Sequence, residues 1–395
     1  MDAGIAVDIL LLNQAFYPDV AATAQYAADL AVKLVERGHR VTVIASRRGY
    51  ADPKLVYPWS EEWRGIRILR CPTSVFGKDA RWKRALDFSS FFITCALRLA
   101  VLPRFDRVVA LTSPPLIAVL GAVIARLNGA RFIHWVMDLN PDEAIAAGWL
   151  RPKSRAARLL NGALQFSLRG SDQVIALDRF MAERLTQKGV PTGKLSVIPP
   201  WSHDDMVTHD HQGAAEFRKR HGLEGKYVVM YSGNHSPCHP LDTLLEAAQR
   251  LRHADRIAFC FVGGGSEFAR VVEFQKKHKL ENIRCIPYLP ITGIAASLSA
   301  ANLHQVVMGD AFVGIVHPSK VYNIRRLGIP FLYVGPARSP VADCNPAGSF
   351  RHGDATGVAA FIESAANEGL SHSPDERSDY IRQEPLEHLI STIGG

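Results

Sequence analysis

Short apolar runs alternate with helical patterns along the whole chain. Such runs, bounded by turn residues, indicate strands that are buried on both faces of a parallel sheet. In the first half the strand candidates are residues 7–13, 41–46, 107–113, 131–139, 173–178 and 195–201. The pattern restarts at residues 227–234, 257–265, 283–288, 303–308 and 330–335. Helical spacing between the runs, as in the stretch that ends at Gly38, predicts repeated β-α-β units.

Chain length and one polar stretch divide these units into two domains. A chain of 395 residues exceeds what one hydrophobic core normally supports. Residues 203–217 interrupt the strand pattern and are interpreted as a linker. We therefore predict an α/β protein with two Rossmann-like, doubly wound parallel-sheet domains, residues 1–202 and 203–395, that face a cleft. Ligands of such sheets bind in the loops at the carboxyl ends of the strands.

One such loop, within residues 309–330 (GDAFVGIVHPSKVYNIRRLGIP), has the layout of a phosphate site. A glycine-bearing loop is followed by Pro318, Ser319 and Lys320, and then by a helical pattern that runs to Gly328. Free N–H groups at a helix N-terminus favour an anion, and a lysine adds charge. The alternative is that Lys320 is only a solvated lysine at a helix start.

Charge is concentrated in the first half of the chain. Residues 1–200 contain 27 Lys and Arg against 17 Asp and Glu, whereas residues 201–395 contain 19 against 21. A basic half indicates an anionic partner. No zinc spacing, arginine-rich helix or RNP-like motif favours nucleic acid. We therefore expect contact with an anionic membrane surface or a phosphate-bearing lipid.

Two segments combine basic and apolar side chains in a way that suits a helix lying in a membrane interface. Residues 81–103 open with Arg81, Lys83 and Arg84, and residues 151–160 contain four basic residues. The alternative is that each segment is an ordinary amphipathic helix whose apolar face packs in the core. Asp87 and Arg98 argue against a membrane-spanning helix in the first segment.

The cysteine spacing and the first residues of the chain indicate the cellular compartment in which the protein works. The six cysteines include no C-x-x-C pair, so we interpret them as reduced thiols. Residues 1–14 lack the basic and apolar regions of a signal peptide. We expect a cytoplasmic protein, peripheral at the inner face of the cell membrane.

Several segments together resemble family 4 glycosyltransferases, which have the GT-B fold. They are NQAFYPDVAATAQYAADLAVKLVERGHRVTVIAS, WVMDLNPDEAIAAGWL, VIALDRFMAERLTQKGVPTGKLSVIPPW, VVMYSGNHSPCHPLDTLLEAAQRL, FVGGGSEF and HPSKVYNIRRLGIPFLYVGP. The likeness spans about residues 5–365 and is greatest to bacterial members that build surface polysaccharides or lipid-linked saccharides. It implies transfer of a sugar from a nucleotide-sugar donor, UDP- or GDP-linked, with retention at the anomeric carbon.

The resemblance places the donor in the second domain and the acceptor, lipid-linked or saccharide, in the first. The chain contains no Asp-x-Asp pair, which agrees with metal-independent chemistry, and no cofactor is expected. A protein charge must then stabilise the departing diphosphate. We assign that role to Lys320, with Asp138 as a candidate base for the acceptor hydroxyl and Asp310 as an acidic contact.

The binding residues follow from the same alignment of motifs. The donor-binding candidates are Gly233, Asn234, His235, Gly264, Glu267, His317, Ser319 and Asn323. The acceptor-binding candidates are Tyr17, Thr23, Gln25 and Asp142. His235 has the alternative of a surface histidine, Gly264 that of a tight turn, and Asp142 that of an N-cap. His134 is expected in the core.

The donor motif departs from the family pattern at one position. The family shows a pair of glutamates with seven residues between them, and here Asn323 stands at the second and Ile315 at the first. An amide can still accept a hydrogen bond from a ribose hydroxyl, more weakly than a carboxylate. This leaves three alternatives open: a nucleotide-sugar 2-epimerase of the same fold, a non-catalytic relative and a two-lobed solute-binding protein.

Overall fold

The computed structural model describes residues 6–19, 21–50, 52, 54–74, 76, 81–202, 207–370 and 380–394. The chain divides into two compact units. The first comprises Met1–Pro200, Gly314–His317 and Pro385–Gly395, and the second comprises Trp201–Val313 and Pro318–Glu384. Each unit is built on its own parallel sheet.

The first unit has an eight-stranded sheet in the order β3-β4-β2-β1-β5-β6-β7-β8. All neighbours are parallel except the edge pair β3–β4, which is antiparallel. The strands are β1 (Asp8–Leu12), β2 (Arg40–Ser46), β3 (Ser60–Trp63), β4 (Ile66–Cys71), β5 (Arg107–Ala110), β6 (Arg131–Trp135), β7 (Gln173–Ala176) and β8 (Leu195–Val197). The helices are α1 (Ala22–Glu36), α2 (Arg81–Leu99), α3 (Ala118–Asn128), α4 (Asp142–Ala146), α5 (Arg155–Gly170) and α6 (Arg179–Gln187).

The second unit has a six-stranded parallel sheet in the order β11-β10-β9-β12-β13-β14. Its strands are β9 (Tyr227–Asn234), β10 (Ile257–Gly264), β11 (Ile283–Ile286), β12 (Leu303–Val307), β13 (Phe331–Val334) and β14 (Gly348–Phe350). Its helices are α7 (His211–Arg220), α8 (Asp242–Arg250), α9 (Phe268–His278), α10 (Ile294–Ser299), α11 (Lys320–Arg326) and α12 (Ala355–Glu368). The last helix, α13 (Tyr380–Gly394), continues into the first unit from Pro385.

Alternation along the strands explains why both faces of the second sheet are covered. Val229 and Tyr231 of β9 pack in one core cluster with α8 and α12, while Val228 and Met230 pack in another with α7. Successive side chains of a strand point to opposite faces, so an unbroken apolar run serves two cores. The fold class predicted from the sequence, two Rossmann-like parallel-sheet domains, is confirmed.

Helices α2 and α3 lie on the same face of the first sheet. Phe91, Cys95 and Leu99 of α2 share one core cluster with Ala118 and Ala122 of α3. The interpretation of residues 81–103 as a helix with a core-facing apolar side is therefore confirmed.

Three strands and one helix differ from the sequence-based expectations. Strands β3, β4 and β14 are absent from the predicted set, because polar and charged residues such as Arg70 interrupt their apolar pattern. The proposed linker is wrong for residues 211–217, which belong to α7, where Ala214 and Phe217 are buried. Residues 203–206 of that segment lie outside the described part.

None of the helices in the described part of the chain is long and apolar enough to cross a membrane. The six cysteines are free thiols, four of them buried.

Candidate functional site

The second unit contains a half-buried lysine whose amine nitrogen is itself buried. Lys320 is the first residue of α11, and its Nζ atom makes no hydrogen bond within the part of the chain that the structure describes. The amine lies 3.6 Å from the ring centroid of Tyr231. Burial lowers the pKa of Lys320 from 10.5 to about 7. A buried amine without a counter-charge is costly, and a cation–π contact offsets only part of that cost, about 2 kcal/mol when desolvated.

Histidines surround this amine but do not supply charge at neutral pH. Burial, followed by the nearby Lys320 amine, lowers the pKa of His235 to about 4 and that of His239 to about 3. Burial likewise lowers the pKa of His304 to about 4. At neutral pH these rings are therefore uncharged, whereas the Lys320 amine is partly protonated. An anion at this position meets one cation and neutral hydrogen-bonding groups.

The loop after β9 is held by its own backbone. The backbone N–H of His235 donates to the carbonyl of Gly264 at 2.7 Å, and the His235 ring Nδ1 lies 3.0 Å from the Gly233 carbonyl. The hydroxyl of Tyr231 donates to the carbonyl of Asn234 at 2.8 Å. His235 is fully buried, so the surface alternative for it is wrong. Its ring stiffens the loop in which Asn234 is exposed.

Glycine is required where this loop meets Lys320 and β10. Gly233 has φ +125°, and a Cβ there would lie 3.3 Å from the Lys320 Nζ. Gly263 has φ +129°, and a Cβ would lie 2.1 Å from the Gly233 carbonyl oxygen. Gly233 therefore leaves the space beside the amine open, and Gly263 lets β9 and β10 stay paired to their ends.

The remaining donor-side candidates lie in two places. Glu267 precedes α9, and its backbone N–H donates to the carbonyl of His235 at 3.1 Å, so it belongs to the same loop cluster as Gly264. Ser319 and Asn323 lie before and within α11. Ser319 does not cap the helix with its side chain, and α11 is only seven residues long. The anion-binding character of this segment therefore depends on Lys320.

Two further predicted residues, Asp310 and His317, precede α11 in the chain. Asp310 is exposed and opens a single 3₁₀ turn, Asp310–Phe312. His317 belongs to the first unit, where its Nδ1 lies 2.8 Å from a carboxylate oxygen of Asp178. The other Asp178 oxygen accepts the N–H of Met181 and caps α6. His317 is thus fixed by a buried acid.

The acceptor-side candidates follow β1 and β6 in the first unit. Thr23 and Gln25 lie in the first turn of α1, which begins after Ala21 without a side-chain cap. Tyr17 lies in the loop before them, and 39% of its surface is exposed. Asp142 is the first residue of α4, and Pro141 occupies the N-cap, so the N-cap alternative is wrong. The Asp142 carboxylate pairs instead with Lys188 at 2.8 Å.

Asp138 lies three residues beyond the end of β6, since the strand stops at Trp135 and not at the predicted residue 139. It lines a small pocket together with Thr112, Leu116 and His134. Burial, followed by the charge of Glu143, raises the pKa of Asp138 to about 8. A carboxyl with this pKa is mostly protonated at neutral pH and becomes able to accept a proton, as a general base must, as the pH rises toward 8.

His134 was expected in the core, and it is 2% exposed. Burial lowers its pKa to about 4. Within the described part of the chain its Nδ1 is buried and has no hydrogen-bond partner. Its position beside Asp138 was not predicted, because a histidine within an apolar run gives no signal of its surroundings.

Two neighbours of the lysine amine were missed by sequence reasoning. Tyr231 of β9 contacts the Lys320 amine, and the charge of that amine contributes to the lowered pKa of His304 in β12. The signal for Tyr231 was its place at the end of a strand, beside the glycine turn. No group of three or more His, Cys, Asp or Glu side chains that could hold a metal ion occurs among the described residues.

Comparisons with known proteins agree on the class. Residues 22–201 match the family described as the glycosyl transferase 4-like domain. Two solved structures share the fold over 98% of this chain. One is Anabaena HepE in complex with UDP and glucose, with 14% identity, 100% of that chain covered and a TM-score of 0.73. The other is sucrose-phosphate synthase from Thermosynechococcus elongatus, with 15% identity, 98% covered and a TM-score of 0.76. These findings define the class as glycosyltransferases with the GT-B fold.

Two sequence relatives are named as glycosyltransferases. A protein of Escherichia coli named as a colanic acid biosynthesis glycosyl transferase, WcaI, is 27% identical over 336 residues, 81% of each chain. A protein of Pseudomonas aeruginosa named as a glycosyltransferase, WbjE, is 26% identical over 235 residues, 58% of each chain. The chain is thus similar to family 4 glycosyltransferases, and both relatives are named as glycosyltransferases.

The pKa of Asp138 predicts a measurable effect on stability. The folded protein binds this proton more tightly than the unfolded chain, whose Asp titrates near 3.8, so unfolding releases a proton between about pH 4 and pH 8. The free energy of unfolding therefore falls as pH rises through that window. Asp138→Asn removes the titration, and its stability relative to the wild type should rise by about 4 kcal/mol from pH 5 to pH 9 in urea denaturation, since about three pH units separate pH 5 from the folded pKa.

Glu143→Gln is the matched control, because it removes the charge that raises the Asp138 pKa and leaves burial in place. Its pH dependence should fall between those of the wild type and Asp138→Asn. A relative stability of Asp138→Asn that does not change with pH would contradict the raised pKa.

Proposed function

We propose that this chain is a retaining glycosyltransferase that moves a sugar from a nucleotide-sugar donor, UDP- or GDP-linked, to a lipid-linked or saccharide acceptor in polysaccharide or glycolipid biosynthesis. The observation that carries the proposal is the buried Lys320 amine, which has an open glycine flank and no counter-anion among the described residues. The donor diphosphate supplies that anion. The complexes of HepE with UDP and with UDP-glucose support a uridine nucleotide as the first donor to test.

Lys320 acts on the leaving group in this mechanism. Negative charge grows on the diphosphate as the bond to the sugar breaks, and an amine in a dry site stabilises that charge more strongly than it does in water. Because the pKa of free Lys320 is about 7, bound phosphate draws the amine to its protonated form. Gly233 allows the phosphate to approach, and Asn234 offers its exposed amide.

Metal independence is part of the same proposal. The chain lacks an Asp-x-Asp pair, and Lys320 provides a positive charge at the leaving group. The neutral amide of Asn323 is proposed to accept a hydrogen bond from a ribose hydroxyl. Ser319 and Glu267 are the other proposed donor contacts. Asp310 is the acidic residue proposed for the transferred sugar. No separate cofactor takes part, because the nucleotide-sugar is a co-substrate.

Asp138 is the proposed base for the acceptor hydroxyl, with Tyr17, Thr23, Gln25 and Asp142 as acceptor contacts. A base with a pKa of about 8 holds a proton at neutral pH and releases it as pH rises. The acceptor-dependent rate is therefore expected to increase with pH up to about 8.

Replacement of Lys320 tests the leaving-group role. Lys320→Met keeps the length of the side chain and removes the charge, and it should lower sugar-transfer turnover at least about 100-fold, as loss of one preorganised contact does. Lys320→Arg keeps a charge and should retain more activity. Lys277→Met, on the exposed end of α9, is the matched control and should behave like the wild type. Wild-type turnover in Lys320→Met would contradict the proposed role.

A panel of UDP- and GDP-sugars, analysed by mass spectrometry, separates the proposed reaction from its alternatives. Nucleotide release that depends on a lipid-linked or saccharide acceptor supports transfer. A 2-epimeric sugar product without acceptor would indicate an epimerase. Binding of nucleotide without any turnover would indicate a non-catalytic relative.

We also propose that the first unit lies on the anionic inner face of the cell membrane. The outward side of α2 exposes an apolar row formed by Trp82, Leu86, Ile93 and Leu97. Helix α5 exposes Leu159 beside basic residues, and α3 and α5 pack together. With the excess of Lys and Arg in residues 1–200, this helical layer combines the two features that interfacial helices use.

Charge reversal in α2 tests membrane binding. Glu at positions 81, 83 and 84 in place of Arg81, Lys83 and Arg84 should weaken sedimentation with vesicles that contain phosphatidylglycerol, because each basic residue near such a surface contributes about 1 kcal/mol. Vesicles of phosphatidylcholine alone should bind both proteins weakly. Glu in place of Lys276 and Lys277 on α9 is the control. Equal sedimentation of the triple variant and the wild type would contradict the membrane proposal.

A further inference from the structure

Aromatic side chains in the edge strand β3 and in the segment before it remain without a role in the proposed reaction. Trp63 is the last residue of β3, and Tyr57 and Trp59 lie in the segment that leads into it. Trp59 is 52% exposed. Tyr17, from the loop after β1, stacks on Trp63 with a centroid distance of 4.0 Å and an interplanar angle of 12°. Together, Tyr17, Tyr57, Trp59 and Trp63 form what we call the aromatic row.

Guanidinium groups cover one side of these rings. Arg47 lies 4.3 Å from the ring centroid of Trp59, and Arg64 lies 5.3 Å from that of Trp63. Each contact stabilises the orientation of its ring. Trp59 and Tyr17 each keep surface exposed to solvent. The row therefore presents apolar ring surfaces beside several hydrogen-bond donors.

A buried arginine holds the row in place. Arg70 of β4 is fully buried, and its guanidinium pairs with Glu61 at 2.7 Å. It also donates to the carbonyls of Tyr17 and Ser46 and lies 4.5 Å from the ring centroid of Tyr57. The carboxylate of Asp19 accepts from the Tyr57 hydroxyl at 3.2 Å. The loop after β1 and the strand β3 are thus joined, and the row is preorganised.

The row lies at the end of the sheet where ligands bind. Strand β3 is antiparallel to β4, with Ser60 opposite Leu69, so its first residues lie near the carboxyl end of β4. Ligands of open α/β sheets bind at that edge. Tyr17, an acceptor-binding candidate in its own right, is part of the row.

The combination of aromatic and charged side chains in this row favours a saccharide over a protein as the bound partner. A protein interface core is depleted in charged residues, whereas Arg47, Glu61, Glu62 and Arg64 lie within or beside the row. A pyranose ring has an apolar C–H face that stacks on the partly negative face of an aromatic ring. Its hydroxyl groups need donors and acceptors around that face. Both requirements are met here.

We propose that the aromatic row of β3 and the loop after β1 binds the saccharide part of the acceptor by ring stacking. The inference rests on the proposed transferase function and deepens it, because it assigns the acceptor glycan to a hairpin outside the catalytic residues. Trp59 and Tyr17 supply the stacking surfaces, and Arg47 and Arg64 supply hydrogen bonds to the sugar.

Binding of the full-length protein to an array of bacterial-type oligosaccharides tests this inference. The wild type should retain at least one glycan class, and Trp59→Ala and Tyr17→Ala should each bind it about fivefold or more weakly. Trp59→Phe keeps a ring and should recover most of the affinity. Trp82→Ala, which removes an exposed tryptophan from α2, should bind like the wild type.

Affinity for UDP, measured by calorimetry on the same proteins, separates this inference from the transferase proposal. Unchanged UDP binding with lost glycan binding supports the aromatic row. Absence of glycan retention by the wild type, or equal retention by Trp59→Ala and Tyr17→Ala, overturns it and leaves the donor site unaffected. A wild-type dimer that dissociates on Trp59→Ala in light scattering would also overturn it, since the row would then be a protein interface.

Discussion

The chemistry of the second unit depends on one unfavourable arrangement, a buried ammonium with no anion beside it. Lys320 is desolvated against the face of Tyr231, and the nearby rings of His235, His239 and His304 are neutral at pH 7. Structural lysines are rarely fully buried unless they are paired. An arrangement that destabilises the free protein and is relieved by an anion is what a binding site for a diphosphate requires.

The strands of the sheet create this arrangement. Parallel pairing of β9 with β10 sets Gly233 and Asn234 beside Gly263 and Gly264 at the carboxyl ends of the two strands, and Lys320, the first residue of α11, reaches Tyr231 of β9. Gly233 and Gly263 are required because side chains there would meet the lysine or the neighbouring backbone. The loop is rigid through backbone hydrogen bonds, so its exposed groups are placed before a ligand arrives.

Much of the fold could be predicted from the sequence, because buried parallel strands leave continuous apolar runs, and β9 occupies the predicted residues 227–234. Strand β4 could not be found this way, because Arg70 interrupts its apolar run. Arg70 can be buried there because its guanidinium pairs with Glu61 and donates to the Tyr17 carbonyl, and neither contact is visible in the sequence. Residues 136–139 read as strand because three of the four are apolar, although they form a loop after β6. Lys320 and His235 were found through their motifs, whereas Tyr231 and His304 lie on strands that only the folded sheet brings together.

The central claim is that Lys320 is a buried, unpaired amine whose natural counter-ion is the diphosphate of the donor. Nitrogen-15 NMR of the lysine Nζ groups, with Lys320→Met to assign the signal, measures its titration from about pH 5 to pH 11. The pKa should be about 7 in the free protein and should rise by at least about one unit when UDP is bound. A pKa near 10.5 in the free protein, or the same pKa with and without UDP bound, would contradict the claim.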